Sequence, residues 1–234
     1  MLLIAFCVPI VGSALIFTWG RKGKRIRRWI AILSTLATSV FVCLALFLEP
    51  GRSYVLLEFT SRMTIAFTLD GMGKVFAGLI AFLWPLAMLY AFEYMEHETG
   101  ENTFFGQYLL SYSMTLLIAS SENLFSLYFF FELLTLSTVF LVAHGFSHRS
   151  MYAARKYLYY TLGAASLGFL SMISVLVYSD TTTFVLGGIP ALQQAPHTMM
   201  LLLFVLGFFG FGVKAAVFPL HGWLPTASVA PTPV

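Results

Sequence analysis

Two ionisable residues stand alone in long apolar stretches. Glu132 lies in NLFSLYFFFELLTLSTVFLV, residues 123–142, and Lys214 follows LGFFGFGV in the last apolar stretch. A carboxyl group and an amine can each take up and release a proton. In an apolar setting the charged form of either needs an opposite charge or water. Glu132 sits about eight residues into its run, roughly 12 Å at 1.5 Å per residue, close to the middle of a bilayer core about 30 Å thick. A charge there costs at least about 2.5–3.5 kcal/mol, so ionisable residues kept at that depth point to proton or ion movement. The plainer reading is a buried salt bridge that pins two helices, but such pairs stabilise poorly beside apolar packing. The depth of Lys214 depends on where its helix begins. A start near 198 brings it towards the inner face; a later start, or a helix that continues to about 224, leaves it central.

Just past Lys214 the chain reads Phe218-Pro219-Leu220-His221-Gly222-Trp223-Leu224-Pro225. Proline cannot sit in a helix interior without breaking it, so the last run is not one straight helix. Broken helices at membrane depth face protein or a wet cavity, and in transporters they mark ion sites. An ordinary proline stop, with Trp223 as an interfacial anchor, accounts for the same residues. His144 and His148 are spaced for one helical face, but no Cys, Asp or third His stands near them, so a loop is favoured over a metal site.

The elements that position these residues follow from composition. The chain has 234 residues, 59% hydrophobic and only 10% charged, with 24 Phe, 11 Tyr and 4 Trp. Soluble proteins carry roughly 25% charged residues, so a water-facing globule, a disordered chain and a secreted disulfide scaffold are all excluded. Cys7 and Cys43 lie in apolar runs and read as small buried hydrophobes. The net charge is +3, but six of the thirteen basic residues fall in 21–28, so the charge is local and no nucleic-acid surface is implied. A spanning helix needs about 20 apolar residues. Seven runs meet this, at roughly 1–19, 29–48, 72–92, 104–120, 124–143, 154–178 and 198–220. The expected fold class is therefore an all-α polytopic membrane protein, its last helix broken at Pro219–Pro225. The segment 49–71 reads as an ordered external hairpin or amphipathic piece. Lys and Arg mark the cytoplasmic loops. This places 21–28, 93–103 and 144–153 inside, and the N-terminus with 49–71, 120–123 and 179–197 outside.

Residues 210–234, GFGVKAAVFPLHGWLPTASVAPTPV, resemble the signature of the antiporter-like subunits of respiratory complex I, membrane-bound hydrogenases and Mrp-type cation/proton antiporters. Residues 123–142 resemble the family's fifth helix, whose glutamate falls on Glu132, and 153–166 (AARKYLYYTLGAAS) the start of its sixth. The resemblance spans about 104–234. Residues 1–103 agree in hydropathy and helix order, which divides the chain into N-terminal helices 1–3 (1–103) and an antiporter-like repeat (104–234).

The resemblance implies that Glu132 and Lys214 are the glutamate–lysine pair of a proton half-channel. It also places His221 at the helix break, as proton relay or packing residue, and Lys156 near the inner mouth, where a snorkelling lysine is equally expected. Family members carry about fourteen helices in two inverted repeats, so a chain ending at Val234 holds an incomplete first repeat. A fragment, a split subunit or a truncated product would each account for that. The implied partners are the lipid bilayer and other membrane subunits, including one that supplies the second repeat. The implied location is a prokaryotic plasma (inner) membrane.

Proton or Na⁺/H⁺ translocation is the leading expectation. The sequence carries no Cys cluster, no paired mid-helix His for haem and no nucleotide loop, so no cofactor is expected and any electron transfer belongs to other subunits. A structural or assembly subunit would not need both buried charges. A membrane enzyme would need clustered His, Asp or Cys near an interface.

Overall fold

The computed structural model describes residues 1–49, 51–60, 62–231 and 233, with the side chains of Gln193 and Gln194 left aside. Pro50 and Ser61 of the 49–71 segment, and Thr232 and Val234 of the C-terminal signature, lie outside the described residues. Among the described residues there are eight α-helices: α1 Leu2–Trp19, α2 Lys24–Leu48, α3 Gly71–Tyr94, α4 Glu101–Ala119, α5 Leu124–Val142, α6 His148–Tyr178, α7 His197–Gly212 and the short α8 Leu224–Ala227. A two-stranded antiparallel hairpin, β1 Tyr54–Thr60 and β2 Met63–Phe67, joins α2 to α3, as expected for 49–71.

Six helices (α1, α2, α3, α5, α6 and α7) are long and apolar enough to cross a membrane. The run 104–120 forms α4, of similar length but less apolar. The packing explains why. Eleven of its nineteen residues are buried, and it packs against α1, α3 and α5. Its Tyr112 is fully buried, stacked on Trp84 of α3 at 4.9 Å with its hydroxyl 3.0 Å from Ser39 of α2. A helix screened from lipid by its neighbours can carry Tyr, Ser and Gln, because protein groups satisfy them. The two cysteines differ from expectation: both are free and face outward on α1 and α2, where the spans would meet lipid.

Polar contacts sort the loops into two ends. At one end Lys24 pairs with Glu96 (2.9 Å), Arg28 with Glu96 (3.3 Å) and Arg27 with Glu101, so the basic segment 21–28 clasps the acidic segment 93–101. At the other end Arg62 pairs with Asp180, and the Thr68 N–H donates to the Ser120 carbonyl at 2.8 Å. These pairings agree with the alternation of loops expected from the Lys/Arg pattern.

The hairpin is stitched to the start of α5. Asn123 caps that helix by accepting from the Ser126 N–H (2.8 Å), while its own amide donates to the Thr64 carbonyl (3.0 Å). A side chain with both an acceptor and donors can satisfy the helix start and the strand together. This fixes the register of the helix that carries Glu132.

Candidate functional site

Lys214 is positioned by the way α7 stops. The helix runs to Gly212 and tightens into a 3-10 turn over Val213–Ala215, and Ala216 then turns left-handed at φ 52°. The Val217 N–H donates to the Gly212 carbonyl (3.2 Å) and the Ala216 N–H to that of Val213 (3.0 Å). These are the two bonds of a Schellman C-cap, with alanine where glycine is usual. The break thus opens before Pro219 and leaves Lys214 in the last turn, where the helix dipole favours a cation. The Val213 carbonyl also accepts from the Trp223 indole N–H at 3.0 Å, so the returning FPLHGW segment satisfies a backbone group that the break would otherwise strand.

The neighbours of Lys214 lie on the two preceding spanning helices. Counted along α7 alone, it would lie near the inner face. Its ammonium, however, sits 5.6 Å from the ring of Phe131, near the middle of α5, and 4.8 Å from the ring of Tyr157 on α6. α7 can reach this position because Gly210 lies directly on Gly168. A Cβ on Gly210 would stand 2.3 Å from the Gly168 backbone nitrogen.

A directed hydrogen-bond chain starts at the ammonium. Lys214 donates to the Tyr157 hydroxyl. Tyr157 and Thr138 oxygens are 2.8 Å apart, and the Thr138 hydroxyl lies 2.8 Å from the Leu134 carbonyl, to which it donates. Thr138 has one proton, so the Tyr157 O–H must donate to Thr138 and its oxygen accept from Lys214. Tyr157 is buried, with Trp223 edge-on at 5.1 Å. A cleft of about 670 Å³ opens beside this chain, lined by Thr138, Tyr157, Trp223, Pro225 and Ser228.

Glu132 is half-buried on α5, the residue after Phe131, whose ring lies 5.6 Å from the Lys214 ammonium. No ion pair joins the two among the described residues, and Glu132 Oε1 is buried without a hydrogen-bond partner. A carboxylate oxygen left in that state needs a proton, water or a mobile cation.

The other residues singled out in the sequence fall as follows. Lys156 donates to Thr226 Oγ1 on α8 at 2.9 Å, one residue before Tyr157 on α6. His221 is exposed, its ring stacked on Phe218 at 5.6 Å, and it does not touch Lys214. Gly222 lies against Tyr160, and Pro225 sits in the first turn of α8. His144 packs edge-on against Phe104 at 5.8 Å, and His148 opens α6. Sequence reasoning missed Tyr157 and Thr138. The signal was present in α6: Ala153, Tyr157, Thr161, Ala164 and Gly168 form a helically spaced buried face, on which Tyr157 alone carries a long polar tip.

Comparison with known proteins bears on the whole arrangement. Residues 121–234 match the family model described as NADH:quinone oxidoreductase/Mrp antiporter, TM, and residues 58–105 match that of NADH-ubiquinone oxidoreductase (complex I), chain 5 N-terminus. The NADH-quinone oxidoreductase subunit N of Desulforudis audaxviator is 33% identical over 193 residues, covering 80% of this chain and 37% of the relative. An Na(+)/H(+) antiporter subunit of Alkalihalophilus pseudofirmus is 36% identical over 171 residues, 70% of this chain and 21% of the relative. The chain therefore spans between about a fifth and two fifths of these relatives. The structure of the Mrp complex from Dietzia sp. DQ12-45-1b superposes with a TM-score of 0.87 at 20% identity, over 99% of this chain and 25% of that one, and establishes the fold alone. With two adjoining models matched from the hairpin to the broken helix, this chain belongs to the family of antiporter-like membrane subunits found in NADH:quinone oxidoreductases and Mrp antiporters.

Proposed function

We propose that this chain forms a proton-translocating half-channel in a multisubunit membrane complex of the complex I or Mrp kind, with Glu132 and Lys214 as its switching pair. The observation that carries the reading is the Lys214 ammonium on a broken helix, bound to Tyr157 and 5.6 Å from the ring of Phe131, with an unpartnered oxygen on the next residue, Glu132. An ammonium in an apolar site is held in its charged form by a nearby carboxylate, and gives up a proton when that carboxylate withdraws. Here a proton can pass from Lys214 through Tyr157 to Thr138, and reaches the cleft that both residues line when the Thr138 hydroxyl turns from the Leu134 carbonyl; Lys156 and Thr226 lie nearby. His221, exposed and stacked on Phe218, stays at the helix break on the returning segment, as relay or packing residue.

On this reading residues 104–234 are the antiporter-like repeat and 1–103 the helices that brace it. The segment 21–28 is cytoplasmic in a prokaryotic plasma membrane. The outward face of α7 supports the presence of membrane partners: Leu201, Leu202, Phe204 and Phe208 all point away from the bundle, and only Leu203 and Gly210 of that helix are buried. Lipid or a neighbouring subunit would cover it. The test is proton flux across vesicles that hold the assembled complex. Lys214→Ala and Glu132→Gln should each abolish flux and leave assembly intact. A purely structural subunit would keep its flux in both variants.

A further inference from the structure

A second polar feature lies away from the Lys214 chain. Between the first turns of α2 and the end of α3 is a cleft of about 470 Å³ lined by Lys24, Arg25, Arg28, Trp29, Ile32 and Phe92. Its two halves differ in character. Three cations stand at the rim, and three apolar side chains continue below them along the faces of two spanning helices.

The rim keeps positive charge to spare. Glu96 is the one carboxylate paired with it among the described residues, and it serves both Lys24 and Arg28. Arg28 also donates to the Phe92 carbonyl at 3.2 Å and lies 5.9 Å from the Phe92 ring, yet its Nε remains buried without a partner. Arg25 is exposed and makes no ion pair among the described residues. Trp29, one turn along α2 from Arg25, is 59% exposed with its ring against the cleft. The occupant that fits is an anion joined to an apolar chain, entering from the side at the height where a spanning helix leaves the hydrocarbon. A free anion would leave the Trp29–Ile32–Phe92 wall bare, and a neutral lipid would leave the rim uncompensated.

We infer that this cleft binds one anionic phospholipid, its phosphate between Arg25 and Arg28 and an acyl chain along Trp29, Ile32 and Phe92. The site is independent of the transport reading, and its failure would leave that reading untouched.

The test uses the purified full chain in detergent, titrated with dioleoylphosphatidylglycerol or dioleoylphosphatidylcholine and read by native mass spectrometry. Phosphatidylglycerol should bind at least about fivefold more tightly, and Arg25→Gln should remove about a fivefold factor, the worth of one basic residue at an anionic lipid surface. Arg25 makes no internal ion pair among the described residues, so its loss should leave the fold intact, checked by an unchanged melting temperature. Arg149→Gln, which removes a charge at the same end but outside the cleft, should leave binding unchanged. Equal loss in Arg149→Gln would reduce the effect to general surface charge and overturn the site. So would equal binding of the two lipids. Displacement of phosphatidylglycerol by millimolar inorganic phosphate alone would show a free-anion site and overturn the lipid assignment.

Discussion

Lys214 hydrogen-bonds to Tyr157 and closes no ion pair with Glu132. The amine thus has a neutral hydroxyl partner on α6, and Glu132 on α5 keeps a buried oxygen without a hydrogen-bond partner among the described residues.

Tyr157→Phe should slow proton flux about tenfold without loss of assembly. Among the described residues the hydroxyl joins Lys214 to Thr138, and a hydrogen bond to a charged group is worth about 1.5–3 kcal/mol. Thr138→Val should have a smaller effect in the same direction. Flux measured in vesicles of the assembled complex checks both, and full activity in Tyr157→Phe would remove the phenol from the path.

Gly210→Ala should destabilise the chain by about 1–3 kcal/mol through overpacking against the Gly168 backbone. Gly163→Ala, also helical but with nothing within 4 Å of the added methyl, should be neutral or stabilising. Thermal melting of the two purified variants decides the matter; equal behaviour would mean that α6 and α7 do not meet at glycine.

The clasp between 21–28 and 93–101 should depend on pH. Lys24 first, and then Arg28, hold the Glu96 carboxyl below its ordinary value of 4.5. A carboxylate whose folded value is depressed contributes stability that is present above the unfolded value. That contribution is lost as pH falls through the lower, folded one. Wild-type protein and Glu96→Gln should therefore differ in melting temperature at neutral pH and converge once the pH falls below the depressed folded value. The difference will be small, because the group is exposed and screened. A difference that widens in acid would contradict the pairing.

Cysteines placed at Lys24 and Arg52 should label from opposite sides of the membrane, Lys24 from the cytoplasm. Labelling of Lys24 from outside would invert the orientation.

Much of the fold is legible in the sequence, for identifiable reasons. Hydropathy alone finds the runs, because lipid-facing helices must be apolar throughout. It cannot rank α4, whose Tyr108, Tyr112 and Ser113 look polar in a list but are buried among other helices. The hairpin at 54–67 is expected as an ordered segment. Its anchoring by Asn123 is not, since that bond joins residues 59 apart in the chain. The signature from Gly210 onward points to the family, and the match to residues 58–105 carries the relationship into a region where only helix order agrees. Glu132 and Lys214 stand out because isolated charges in apolar runs are visible one residue at a time. Tyr157 does not, because a tyrosine among Ala and Leu resembles core until a partner is placed opposite it. The surroundings of Lys214 are likewise a property of three helices together: counting along α7 does not show that its ammonium meets the rings of Phe131 on α5 and Tyr157 on α6.

The most direct test of the switching pair compares proton flux in vesicles of the assembled complex carrying Glu132→Gln, Lys214→Ala or both. If the two residues act as one unit, each single variant abolishes flux and the double variant is no worse than either, because groups working together are non-additive. Normal flux in either single variant, or losses that simply add, would show that Glu132 and Lys214 work independently.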